Sequence, residues 1–228
     1  MVRAKTPFPA DWTLADLLAH FGDISPSRIR LFPAPGVAAE RDVTAIQDRE
    51  DRLYELVDGV LVEKVMGYSE STLTCELIYF LKAFLREHDL GNLAGSDGTM
   101  RLMPGLVRIP DVSFVAWERL PGRRVPDAPL PDLVPDLAVE VLSEGNTAKE
   151  MARKLKDYFF AGVRLVWYVD PHRRTVQVYT APDQLTQLRE GQTLDGGAVL
   201  PGFTLPLGQL FATLPRPESG PGRRKKKS

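Results

Sequence analysis

The stretch that most limits what this chain can become runs from Leu137 to Leu142. It reads LAVEVL, nearly continuous apolar sequence of the kind expected in a strand buried on both faces of a largely parallel sheet. The exception is Glu140. An ionised carboxylate is expensive to bury unless it is paired or binds a metal, and a lone acid in a central strand has few structural uses. The same situation occurs upstream, where the β-patterned run Leu106 to Val115 (LVRIPDVSFV) carries Asp111. Pro110 removes a ladder donor there, which predicts a strand edge or bulge and irregular backbone beside the acid. Downstream, the spacing predicts a helix from about Thr147 to Ala161 with Met151, Leu155, Tyr158 and Phe159 as its inner face. At about 100° per residue Lys154 falls at the margin of that face, whereas Lys149, Arg153 and Lys156 project away. Two acids and one base therefore point toward a common region.

Two further acids are candidates for the same region. LYELVDGVLVEKV places Asp58-Gly59 between two β-branched runs, a strong hairpin signal. A two-residue turn sets Val57 opposite Val60 and Glu55 opposite Val62. Glu55 is then a carboxylate of the site, holding a metal or supporting the residues that do, or else a solvated strand residue. The next helix is expected from about Ser69 to Glu87, with Leu73, Leu77, Phe80, Leu81 and Phe84 as its stripe. Glu70 extends that stripe backward into the first turn, where it either complements the helix dipole or faces the site of Asp111 and Glu140.

The remainder frames this core. Thr13 to Phe21 reads as a short amphipathic helix capped by Thr13 and stopped at Gly22. Residues Ser25 to Asp42 are too rich in proline and glycine for regular structure and read as an irregular arm. Arg119, Arg123 and Arg124 lie in a proline-rich loop, where they contact phosphates or are merely solvated. RLVWYVD and TVQVYTA are two more strands, followed by short strands and a last helical turn at Leu207 to Phe211. The expected divisions are an arm over 1–52, a core domain over 53–214 and a disordered basic tail over 215–228.

Five basic residues form the run Arg223 to Lys227, so the rest of the chain carries 24 bases against 30 acids, a net charge near −6. Bulk electrostatics thus exclude a nucleic-acid-coating protein. The single cysteine, Cys75, rules out an internal disulfide, and the three histidines lack zinc spacing. No apolar run reaches the roughly 18 residues of a membrane span, and the cytoplasm is the expected compartment.

Carboxylates on adjacent strands beside a lysine suit Mg²⁺ or Mn²⁺, which keep open positions for water and phosphate oxygens. That chemistry is phosphodiester hydrolysis. Asp111, Glu140 and Glu70 are its candidate metal ligands, and Lys154 would assist the nucleophile. The ordered series YELVDGVLVEKVMG, ES opening a helix, RIPDVSFV, PDLAVEVLSEGN and ARKLKDYFFAGVRLVWYVDP resembles the Uma2 family of restriction-endonuclease-like proteins, within the PD-(D/E)XK nuclease superfamily. The resemblance spans roughly Leu53 to Phe211. It implies an α/β fold with a restriction-endonuclease-like core, a central mixed sheet flanked by helices, preceded by the helical and irregular arm. It also implies divalent-metal dependence, nucleic acid (DNA foremost) as substrate and a homodimer. Pro110-Asp111 matches the PD, Glu140 the (D/E), and Glu70 the acid of the first core helix. The superfamily's usual lysine position is here Leu142, and Lys154 on the following helix takes its place. A rival reading is a catalytically inactive nuclease fold that binds nucleic acid or a protein. Glycoside hydrolysis by paired carboxylates, which needs neither metal nor lysine, is a third.

Overall fold

The computed structural model describes residues 8, 9 and 11–215; the expected tail, but for Pro215, lies outside them. In chain order the elements are α1 (Leu14–His20), α2 (Glu40–Glu50), β1 (Tyr54–Val57), β2 (Val60–Glu63), α3 (Tyr68–Glu87), β3 (Gly91–Ala94), β4 (Met100–Met103), β5 (Leu106–Arg108), β6 (Val112–Ala116), β7 (Leu137–Val141), α4 (Ala148–Ala161), β8 (Leu165–Asp170), β9 (Thr175–Ala181), β10 (Gln184–Arg189), β11 (Thr193–Asp195), β12 (Thr204–Pro206) and α5 (Leu207–Leu210), with short 3₁₀ turns between them. β11 and β12 pair with each other, and the remaining strands form two sheets. One is antiparallel in the order β2-β1-β5-β4. The other is mixed, in the order β10-β9-β8-β7-β6-β3, with β7 and β8 parallel and every other pair antiparallel.

Alternation along β7 decides which side of the mixed sheet each residue serves. Leu137, Val139 and Val141 face α3, where Leu73, Leu77 and Leu81 pack with Trp167, Phe203 and Phe211. Ala138 faces the opposite side, against Met151, Leu155 and Tyr158 of α4. Glu140 shares the Ala138 face, so its carboxylate looks toward α4 and the β1–β2 hairpin. The hairpin register is the expected one, with Val57 opposite Val60 and Glu55 opposite Val62. Its left-handed turn residue Gly59 (φ 70°) also lies against the backbone of Gly36, where a Cβ would collide.

Two expectations need correction. The run Leu106 to Val115 is two strands in different sheets: the chain leaves the four-stranded sheet after Arg108, crosses at Ile109-Pro110-Asp111 and enters the mixed sheet at Val112. Proline is tolerated there because the crossing has no ladder to donate to. The irregular arm also contains α2. Its polar sequence has only Val43 and Ile46 to bury, too few to reveal a period, but both are sealed against Tyr54, Leu56, Leu61 and Val107. The Asp42 carboxylate accepts from Ala39 N at 2.8 Å and closes the helix start. Upstream, Ile29 bridges to Val62, so the arm covers the outer edge of β2. No helix among the described residues is long and apolar enough to cross a membrane.

Candidate active site

Asp111 is fixed to β7 at two points. Its N–H donates to Val139 O (2.9 Å), and its Oδ2 accepts from Val141 N (2.6 Å). Glu140 is fixed from the other side, where Oε1 accepts from the Tyr158 hydroxyl and from Lys154 Nζ at 2.8 Å. Both acids are buried. Each thus has one oxygen tied into the fold, leaving Asp111 Oδ1 and Glu140 Oε2 as the second oxygens of two acids that line one small cavity. Both of these oxygens contact Lys64 Nζ, at 2.6 and 3.6 Å, and the same ammonium donates to Ile109 O at 2.7 Å.

Lys154 is 6% exposed, so its marginal helical position turns inward, as the spacing predicts. It is held between Glu140 and Glu55, whose Oε1 lies 3.0 Å from Nζ. Glu55 is itself anchored by Ile109 N (3.1 Å) and by Arg108 Nη1 (2.6 Å), and Arg108 reaches on to Asp157. The acid of β1 is therefore buried, and it holds the lysine. The other bases of α4 point away, Lys149 to Asp23 and Arg153 to His20 O and Asp58.

The electrostatics follow from this packing. Burial pushes Glu55 toward the neutral form, but Lys154, Arg108 and Lys64 outweigh it and hold the carboxyl well below the usual range. Burial opposes the Lys64 ammonium too, yet Glu140, Asp111 and Glu55 keep its pKa above that of an ordinary lysine. At Asp111 burial prevails, against the pull of Lys64 and assisted by the charge of Glu140, and the pKa rises. Tyr158 is raised well above its ordinary value by burial and the nearby carboxylates, so its hydroxyl remains a donor to Glu140.

Glu70 lines the same cavity as Asp111, Glu140, Lys64 and Lys154. Since α3 covers the opposite face of the sheet, only its first turn reaches this point. The carboxylate lies over Gly67, where a Cβ would strike Oε2. Among the described residues no group of three or more His, Cys, Asp or Glu is arranged to hold a metal, so the acids brought to one point are Asp111 and Glu140. The cavity measures about 20 Å³, room for one water-sized particle. A wider cleft of about 940 Å³ adjoins it, sharing Ser143 and Asn146 and continuing past His172, Arg173, Gln177 and Tyr179.

The three loop arginines are not gathered here. Arg119 donates to Asp136 Oδ1 (2.9 Å) and Gly162 O (3.0 Å), at the far end of β7 and about 13 Å along the strand from Glu140. Arg123 pairs with Asp89 and lies over Trp117, past the C-terminal end of α3, about 28 Å along that helix from Glu70. Arg124 is exposed in the same loop. Sequence reasoning missed Lys64 and Arg108. Both carried a signal: Lys64 continues the alternation Val60, Val62 on the face of Glu55, and Arg108 is a charge between Val107 and Ile109, as Glu140 is between Val139 and Val141.

This arrangement can be set beside known proteins. The family model Uma2, described as "Putative restriction endonuclease", matches residues 41–208. The chain belongs to the Uma2 family. All of α2 but its first residue lies within the Uma2 match, whereas α1 and Arg28 precede it. A crystal structure described as "a putative nuclease belonging to DUF820", from Anabaena variabilis, shares the fold with a TM-score of 0.63 at 17% identity, covering 71% of this chain and 91% of that one. No curated protein matches.

Proposed function

We propose that the chain is a divalent-metal-dependent endonuclease that hydrolyses phosphodiester bonds in DNA and works as a homodimer, with one site for each strand. The observation that carries this reading is the division of labour among the carboxylate oxygens. Asp111 Oδ2 and Glu140 Oε1 are fixed by the protein, and Asp111 Oδ1 and Glu140 Oε2 are presented together to a cavity. Two hard anionic oxygens at one point fit Mg²⁺ or Mn²⁺, which commonly take one or two protein carboxylates. When bound, the ion supplies Lewis-acid polarisation of the scissile phosphate.

The chain's own residues do the rest. Lys154, immobilised by Glu140 and Glu55, orients the attacking water and offsets the negative charge that grows on the phosphate oxygens. Tyr158 fixes the rotation of Glu140, and Arg108 keeps Glu55 ionised beneath Lys154. The adjoining wide cleft offers a path for a strand leading to the cavity, and Glu70 orders solvent at its rim.

The test is a cleavage assay on plasmid DNA and on RNA with Mg²⁺ or Mn²⁺. Asp111→Asn keeps an acceptor for Val141 N but removes the charge. DNA cutting that needs the metal and falls at least about 1000-fold in this variant, about 4 kcal/mol of barrier, is expected. Undiminished cutting by the variant contradicts the assignment. Nucleic acid bound without cutting would favour the inactive, recognition-only fold.

A further inference from the structure

Lys64 has no task in the chemistry just described, yet its ammonium sits among the carboxylates of the cavity. Its ammonium contacts Asp111 Oδ1 at 2.6 Å, Glu140 Oε2 at 3.6 Å and Ile109 O at 2.7 Å, and its side chain is 9% exposed. These carboxylate oxygens are the two presented to the cavity, and the space left beside the ammonium is that of one water. Asp111 and Glu140 would hold an ion through the carboxylates that the ammonium contacts, so ion and ammonium would compete for them. Ammonium and dication also repel at such a separation.

We infer that Lys64 is an internal surrogate for the catalytic ion, occupying the divalent-cation position of the Asp111–Glu140 pair and leaving it when the ion binds. The inference rests on the metal-dependent reading above. The Lys64 ammonium, together with that of Lys154 on Glu140, offsets the charge of the two buried carboxylates. The way out is built in. Lys64 follows the last residue of β2, and the next residues, Val65 to Gly67, are in no helix or strand, with Val65 65% exposed. Rotation about the flexible four-carbon stem carries the ammonium to the cavity mouth without disturbing the hairpin. Arg28 and Asn146 line the same cavity, and Asn146 also lines the adjoining cleft, so the displaced charge would move toward the side from which a phosphate would enter.

Two measurements on the full chain test this. Calorimetric titration with Mn²⁺ compares the wild type with Lys64→Met, which keeps a long apolar stem. Acylation by an amine-reactive ester, followed by peptide mass spectrometry, reads Lys64 in the wild type with and without saturating Mn²⁺. Lys149, 73% exposed, serves as the internal reference. The expected results are at least tenfold tighter Mn²⁺ binding by Lys64→Met and at least tenfold faster acylation of Lys64 in the presence of Mn²⁺, with Lys149 unchanged. Equal Mn²⁺ affinities, or Lys64 still protected when Mn²⁺ is saturating, overturn the inference and leave the metal reading intact. Failure of both proteins to bind Mn²⁺ overturns the two together. If Lys64→Met does not fold, the acylation of the wild type decides.

Discussion

Two buried acids stand at opposite ends of β7, and the contrast between them separates a structural charge from a chemical one. Asp136, just before the strand, is 2% exposed and fully committed. Its Oδ2 accepts from Ala116 N at 2.9 Å, and its Oδ1 takes Arg119 Nε at 2.9 Å and Arg164 Nη1 at 3.4 Å. It ties the end of β6 to the starts of β7 and β8 with backbone donors and rigid guanidinium forks. Glu140, near the other end, is 5% exposed, so burial does not distinguish the two. What differs is the second oxygen. At Glu140, and at Asp111 beside it, one oxygen is fixed and the other meets a cavity, contacted there by a flexible lysine. A buried acid is a candidate site when part of its valence is left to something that can move.

The largest effect that sharpens this contrast is expected at Lys154. In Lys154→Met, Glu55 keeps Arg108 and Ile109 N, and Glu140 keeps Tyr158 and Lys64, so the fold retains its pairing. Cleavage should nevertheless fall by several hundredfold to 1000-fold, about 4 kcal/mol, measured as single-turnover rate beside an unchanged circular-dichroism spectrum. The mirror-image substitution is Asp136→Ala. It leaves Arg164 Nη1 and Ala116 N without this acceptor and Arg119 with only backbone carbonyls, and should cost about 3 kcal/mol of unfolding free energy in a denaturant titration. Its Mn²⁺ affinity should match the wild type. A metal-binding defect in Asp136→Ala would erase the distinction between the two ends of the strand.

The smallest expected effect is at the hairpin turn. Burial raises Asp58, but His20 Nε2 at 2.9 Å and Arg153 Nη2 at 2.6 Å outweigh it and hold its pKa below the ordinary 3.8. An acid with a depressed folded pKa contributes stability that is present above its unfolded pKa and lost as pH falls through the folded one. Asp58→Asn should therefore cost about 0.5 kcal/mol near neutrality, as befits a half-exposed pair, and nothing once pH is well below 3.8. Melting temperatures of both proteins across that range provide the check, and a constant gap would show that the ion pair is not the cause.

What was legible in the sequence was local. The hairpin, α3, α4 and β7 announce themselves by their periods, and those periods alone put Glu55, Glu140 and the inward turn of Lys154 in view. α2 was hidden because two apolar residues do not make a pattern, although they suffice to seal it onto β1. The split of Leu106 to Val115 between two sheets was hidden because alternation is the same in either sheet. Arg119 illustrates the remaining gap. A base in a loop looks like a phosphate ligand until its partner, seventeen residues away in sequence, is known. Lys64 and Arg108 were legible, by the rule that exposed Glu140: a charge in register with apolar neighbours has something to meet.

The most direct measurement of the central claim is an anomalous difference map from a crystal of the full chain grown with Mn²⁺. The account predicts one peak coordinated by Asp111 Oδ1 and Glu140 Oε2, with the Lys64 ammonium withdrawn from between them. A map with no peak at that pair under saturating Mn²⁺, or with Mn²⁺ bound only elsewhere on the chain, would contradict it.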